Sequence, residues 1–308
     1  MNAPILNHII SFANVSDIDS YLKKYAKAGF VVGGKTVRHE PGLRNGFVYF
    51  GPEYVEFQWV EDKKKFKKDA SEHAKLFHRN PSPYGVAFEA KDIAALHRQW
   101  LKRGYKLPPI WSKGPADVDK STIWWTFQDI PRRYLPGAWT FVLSYEFRKN
   151  KKGPRHIPLG KNTLYAMSGL TFVTKYPKNR AEKWKKFLAP ASPVTEVISG
   201  VYRVHIGPHI LEWVTPKIYK LKYGADYRQP ISGKYKDLRE PTLIHILADD
   251  LRKAKSVLKR NKFKLREYKD QFLIESREED GFAFIVEEKK IQDWQKERSK
   301  FGQQFILE

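Results

Sequence analysis

The stretch GPEYVEFQWV, residues 51–60, returns as GPHILEWV at residues 207–214. Both copies read Gly-Pro, a variable residue, two apolar or aromatic residues, Glu and an aromatic. Alternation in the first copy sets Glu56 on one strand face with Tyr54 and Gln58, opposite Val55, Phe57 and Trp59. A polar face of this kind is either wet or filled by a ligand. Glu56 and Glu212 are therefore each either a site carboxylate or a charge on a strand surface.

Working outward from the first copy, NGFVYF (residues 45–50) precedes it, joined through Gly51-Pro52-Glu53 as a hairpin. Upstream, NHIISFANVSD is strand-like. SDIDSYLKKYAKAGF then places Ile18, Tyr21, Leu22, Tyr25 and Ala26 on one helical stripe, with Ser16 or Asp17 as cap and Gly29 as stop. The order is strand, helix, then two or three strands.

That order recurs three more times, at starts roughly 75–85 residues apart, longer than short solenoid periods. PYGVAFEAKDIAALHRQWLKRGY opens the second module, with Ile93, Leu96, Trp100 and Leu101 as stripe; STIWWTF and WTFVLSYEF supply its later strands. MSGLTFVTKYPKNRAEKWKKFL opens the third, with Ala181, Trp184 and Leu188, and GVYRVHIGPHILEWV is its hairpin. PTLIHILADDLRKAKSVLKRNKF opens the fourth, with Leu251, Ala254 and Leu258. QFLIESREEDGFAFIVEE closes it, turning at Asp280-Gly281. The basic, Pro/Gly-bearing residues 148–163 read as a linker between halves. The expected organisation is a first half over residues 1–150, a second over 163–290, and a helix with a tail over 291–308.

The 308 residues suffice for two domains with a sizeable core, and 41% hydrophobic content places the chain among globular proteins. No stretch approaches the ~18–20 apolar residues of a membrane span. The opening residues lack the basic region and cleavage pattern of a signal peptide, so a cytoplasmic location is expected. The absence of cysteine removes disulfides, thiolate metal sites and a Cys nucleophile. Lys+Arg 57 against Asp+Glu 34 gives +23. Two readings follow: a nucleic-acid or anionic-ligand partner, or a general surface bias. The densest run, EDKKKFKK (residues 61–68), reads as a solvated connection, and no base-reading motif accompanies the charge. Gly-rich phosphate loops and nucleophile elbows are absent.

Paired β-α-β-β-β units with a His near the first strand and a Glu on the last resemble the vicinal oxygen chelate superfamily. NHIISFANVSDIDSYLKKYAKAGFVVGG and RHEPGLRNGFVYFGPEYVEFQWVED are most similar to its glyoxalase-like group. The resemblance implies an α+β fold of four βαβββ modules, in two tandem glyoxalase/bleomycin-resistance-like halves with curved mixed sheets. It implies a divalent metal (Fe, Mn, Ni or Zn) bound by His8 and Glu56, with positions left for substrate oxygens. His39 is the candidate base or third ligand beside Glu56. Arg44, Asn45 and Tyr84 are candidate substrate contacts, Arg44 for an anionic group.

Module two departs from the pattern, with Tyr84 at the His place and Ser144 or Glu146 at the Glu place. In the second half Glu212 matches Glu56, but the first-strand position near Ser168 has no His. The expected activity is isomerase, lyase or dioxygenase chemistry on a small oxygen-rich, anionic or neutral molecule in the first half, with the second half as scaffold. The alternatives are a binding or sequestration protein without catalysis and a basic protein that associates with nucleic acid. The chain is expected as monomer or homodimer.

Overall fold

A computed structural model of the chain describes residues 4–33, 41–70, 74–75, 78, 83–113, 125–145, 155–224, 240–275, 282–301 and 305–307. The first module is β1 (Ile5–Phe12), α1 (Ile18–Lys27), β2 (Val31–Val32), β3 (Leu43–Phe50) and β4 (Glu53–Val60), followed by α2 (Lys63–Asp69). The second is β5 (Pro83–Glu89), α3 (Ile93–Lys102), β6 (Trp111–Lys113), β7 (Trp125–Ile130) and β8 (Trp139–Tyr145). After β9 (Arg155–Ile157) comes the third: β10 (Leu164–Val173), α4 (Pro177–Leu188), β11 (Thr195–Ile198), β12 (Val201–Ile206) and β13 (His209–Val214), followed by α5 (Pro216–Tyr223). The fourth is β14 (Pro241–Ala248), α6 (Leu251–Arg260), β15 (Leu265–Glu267), β16 (Gln271–Ile274) and β17 (Ala283–Glu288). The chain closes with α7 (Ile291–Ser299) and β18 (Phe305–Leu307). Each module is β-α-β-β-β.

Two eight-stranded sheets result. Their orders are β2-β3-β4-β1-β5-β8-β7-β6 and β11-β12-β13-β10-β14-β17-β16-β15, so modules one and two share one sheet and modules three and four the other. Both are mixed. The first and last strands of a module pair in parallel, as in β5/β8, β10/β13 and β14/β17, while β3/β4 and β12/β13 are antiparallel.

The repeated Gly-Pro pair forms the two-residue loop of each hairpin. Phe50 pairs with Glu53, and Ile206 with His209. Gly51 and Gly207 have φ of 63° and 61°, a conformation that costs an L side chain but not glycine. Proline can follow because no ladder bond is asked of its nitrogen.

Helix starts and buried stripes follow elementary chemistry. Asp17, Asp62, Asp92 and Asp250 cap α1, α2, α3 and α6 by accepting from backbone N–H groups of the first turn. Four details differ from the sequence expectation. Ala28 rather than Ala26 lies on the buried side of α1, and Leu101 of α3 is exposed. The lysine run is solvated as expected but helical, forming α2: Asp62 caps it and Phe66 is its one buried anchor. The expected tail forms β18, which pairs in parallel with β9.

By packing, the chain forms two compact units. One comprises Met1–His8, Tyr84–Gly153 and Gly169–Pro241. In it Trp100 stacks on Phe187 at 4.7 Å, and Trp184 meets Phe88, Phe172 and Trp213. The other comprises Ile9–Pro83, Pro154–Ser168 and Thr242–Glu308. Tyr25 and Phe30 pack there on Phe263, Phe57 on Phe282 and Phe50 on Phe284. Each fully buried ring of this kind contributes about 1.5–3 kcal/mol.

The closing helix α7 is fixed in the second unit from two sides. Trp294 joins Ile157, Tyr165, Ala166, Leu247 and Phe305 in an apolar cluster. Arg298 donates to Glu53 Oε1 in a buried ion pair, and the Met167 N–H donates to the other carboxylate oxygen. Glu53 is thereby a scaffold charge, although it lies three residues from Glu56.

Candidate functional site

Across the first hairpin, Asn45 pairs with Gln58 and Phe47 with Glu56. Directly paired residues share a sheet face, so these four side chains lie together. Asn45 is fully buried and Glu56 is 5% exposed, so this face is closed rather than wet. The Asn45 amide nitrogen donates to Glu56 Oε1. A carboxylate oxygen only accepts, which fixes the amide orientation and turns Asn45 Oδ1 away from Glu56. Asn45 Oδ1 is buried and has no hydrogen-bond partner among the described residues. Leaving such an acceptor unmade costs about 1–3 kcal/mol.

The second-half counterpart is built differently. Glu212 is fully buried, with Arg203 opposite it on β12 and Thr171 opposite it on β10. Arg203 donates to Oε2 at 2.8 Å, and Lys222 Nζ reaches both carboxylate oxygens at 2.7 and 2.8 Å. Thr171 and the Tyr223 hydroxyl donate to Oε1 at 3.1 and 2.8 Å. Burial, with the Glu212 charge beside it, holds the Tyr223 hydroxyl protonated well above the ordinary tyrosine range. Glu212 is a neutralised buried charge inside the scaffold.

The two hairpins share one register. The Ala13 N–H donates to the Gln58 carbonyl as the Thr174 N–H does to the Val214 carbonyl. Ile10 thus takes the place beside Glu56 that Thr171 takes beside Glu212. Nine residues before Glu212 stands Arg203, and nine before Glu56 stands Phe47. Ten residues after Glu212 stands Lys222, and ten after Glu56 stands Phe66. Where the second half places two cations, the first half places two phenyl rings.

The other sequence-derived candidates are distributed as follows. Arg44 alternates to the opposite face of β3 from Asn45, where it pairs with Asp19 of α1 and with Glu61. Tyr84 is buried and stacked on Trp139 in the other compact unit from Glu56. His8 also falls in that unit, buried on β1 beside Phe141. Ser144 is buried on β8. His39 and Glu146 lie outside the described residues.

Imidazole and carboxylate are suitable donors for Fe, Mn, Ni or Zn. Among the described residues there is no group of three or more His, Asp or Glu side chains that could close round a metal ion. His8 and Glu56 supply donors of the right type, and the described residues do not complete a coordination shell.

Sequence reasoning missed Asn7. It joins the His8 ring to Glu89 and Tyr145. Only the folded sheet brings residues 7, 89 and 145 together, and no local pattern announces it.

A family model described as a glyoxalase-like domain matches residues 6–188. No curated protein matches the sequence. Among solved structures the chain is similar to a hypothetical protein from Staphylococcus aureus, with TM-score 0.56 and 12% identity over 92% of this chain and 99% of that one. It is also similar to a catechol 2,3-dioxygenase, with TM-score 0.50 and 10% identity over 94% of each chain. A xylose isomerase-like TIM barrel/4-hydroxyphenylpyruvate dioxygenase fusion protein matches with TM-score 0.50 and 12% identity, over 93% of this chain and 49% of that one. At these identities the likeness is one of fold.

Proposed function

The chain belongs to the glyoxalase-like domain family of the vicinal oxygen chelate superfamily, and on that premise we propose that its first half acts on a small oxygen-rich molecule at Glu56 and Asn45. The observation that carries this reading is the buried Asn45 side chain, whose Nδ2 is committed to Glu56 and whose Oδ1 has no partner among the described residues. A ligand hydroxyl or N–H reaching Oδ1 removes the cost of that unmade bond and is held next to a carboxylate. Glu56 then takes or returns a proton at the bound molecule, work that suits isomerase, lyase or dioxygenase chemistry. The +23 net charge favours the arrival of an anionic molecule. His8 is the first-strand candidate for a second proton-handling or metal-binding group.

Catechol and 4-hydroxyphenylpyruvate are suitable probes. Two of the fold neighbours are named for them, and both carry hydroxyl donors. Calorimetry is expected to show probe binding that falls about tenfold or more in Asn45→Leu and Glu56→Gln, as the loss of one charge-assisted hydrogen bond requires. Binding in Glu212→Gln is expected to match the wild type. Unchanged binding in both first-half variants overturns the reading. Uptake without turnover makes the protein a binder rather than an enzyme. Elemental analysis of the purified protein beside a His8→Ala/Glu56→Ala variant tests the metal: equal Fe, Mn, Ni or Zn content in the two removes this pair as ligands.

A further inference from the structure

His8 sits in a hydrogen-bonded group that determines which of its nitrogens carries the proton. Asn7 Nδ2 donates to Glu89 Oε2 at 2.7 Å. Asn7 Oδ1 accepts from the Tyr145 hydroxyl at 3.0 Å and lies 2.7 Å from His8 Nδ1. The amide cannot be turned over in this setting. Reversed, its oxygen would face the Glu89 carboxylate, acceptor against acceptor, and its NH2 would meet the ring nitrogen and the phenol instead. With the oxygen held toward His8, the 2.7 Å contact requires a proton on Nδ1. In the neutral ring the lone pair is then on Nε2. Asn7, His8 and Tyr145 are all buried, which raises the cost of any mispaired arrangement. Phe141 stands edge-on to the imidazole with ring centroids 5.7 Å apart, restricting the ring from the side.

We propose that Asn7, oriented by Glu89 and Tyr145, is a positioning residue that locks His8 as the Nδ1–H tautomer, so that the lone pair of the neutral ring lies on Nε2. This rests on the reading of His8 as a functional imidazole of the first strand. It adds to that reading the device that makes the imidazole competent. A ring with its proton on Nε2 offers neither a base nor a ligand at that atom, whatever its placement. Glu89 is one of the strand residues of module two, so the second module conditions the first-strand histidine.

The test is a long-range proton–nitrogen correlation spectrum of the full chain with nitrogen-15-labelled histidine. It is recorded without metal or ligand at about pH 8.5, where an ordinary imidazole is neutral. His8 is assigned by the signals lost in His8→Ala. The wild type is expected to show His8 as the Nδ1–H form. In Asn7→Ala the ratio of Nδ1–H to Nε2–H should fall about tenfold, the equivalent of one ordinary hydrogen bond. The exchange Asn7→Asp/Glu89→Gln reverses donor and acceptor in the outer pair and keeps an acceptor facing Nδ1, so it is expected to retain the wild-type tautomer. Wild-type His8 in the Nε2–H form overturns the proposal, even if no variant folds. An unchanged tautomer in folded Asn7→Ala does so as well. Because the spectrum is read without probe or turnover, its failure is distinct from failure of the proposed binding at Asn45 and Glu56.

Discussion

Glu212 is enclosed by Arg203, Lys222, Tyr223 and Thr171, whereas Glu56, at the same step of an equivalent hairpin, is held by Asn45. Phe47 and Phe66 stand at the places of the two cations. One backbone position has thus been given two electrostatic fates. In the second half the carboxylate is consumed internally: two cations and two hydroxyls occupy its lone pairs, and nothing is left for a ligand. In the first half the neighbouring amide keeps an acceptor that is unpaired among the described residues, and the residue opposite the carboxylate on the next strand is a phenyl ring.

The same substitution at both places should separate the two roles most widely. Glu212→Gln leaves Arg203 and Lys222 facing a neutral amide. Breaking a buried ion pair from one side costs about 3–5 kcal/mol. Arg203 and Lys222 are 30% and 26% exposed, so water offsets part of this, and about 2–3 kcal/mol is the expected loss. Glu56→Gln keeps an oxygen that can accept from the Asn45 amide and is expected to cost under about 1 kcal/mol. Urea unfolding of both variants measures the difference. Equal losses at the two positions would end the distinction between the two carboxylates.

The modules were legible because they rest on local signals. Gly51 and Gly207 mark hairpin loops through their positive φ, and the stripes Ile18-Tyr21-Leu22-Tyr25 and Leu251-Ala254-Leu258 follow helical spacing into the core. The errors arose where one signal masked another or where the deciding contact was distant. Five lysines hid the cap and anchor, Asp62 and Phe66, that make α2 a helix. β18 exists because residues 305–307 meet residues 155–157, a pairing that three-residue strands do not announce. Glu56 and Asn45 were readable as neighbours across a hairpin. The donors that enclose Glu212 come from two strands and a following helix, and only the fold reveals that they converge. The same holds for Asn7, whose partners lie 82 and 138 residues away.

If the difference lies in countercharge, moving a cation should convert one site toward the other. Phe47 is only partly buried, so an arginine there can lie along the sheet and reach Glu56 while keeping its outer end near solvent. Phe47→Arg is expected to weaken probe binding about tenfold, roughly 1.4 kcal/mol, by engaging the carboxylate as Arg203 engages Glu212. Stability should change by less than about 1 kcal/mol. Calorimetry on the same probes decides it. Undiminished binding in a folded Phe47→Arg variant would show that a cation at position 47 does not engage Glu56 as Arg203 engages Glu212.

The smallest expected effect is in the alkaline behaviour of the Glu212 enclosure. Burial and the adjacent carboxylate raise the Tyr223 hydroxyl above its ordinary value of 10.0. Tyr165, buried near Asp249 and Asp293, is raised in the same direction. A group whose folded value is raised keeps its proton in the folded chain after the unfolded chain has released it. Its contribution is complete below about pH 10 and declines as pH rises beyond that, by about 1.4 kcal/mol per pH unit for each such tyrosine. Tyr223→Phe removes one of them. At neutral pH the variant should lose about 1 kcal/mol or less, since Glu212 retains Arg203, Lys222 and Thr171. Between about pH 10 and 11 its stability should fall less steeply than that of the wild type, by one proton's worth of slope. Urea unfolding at stepped pH gives both slopes. Parallel curves would mean that Tyr223 is not held protonated by its burial beside Glu212, and would weaken the description of that enclosure as a closed, neutralised counterpart to Glu56.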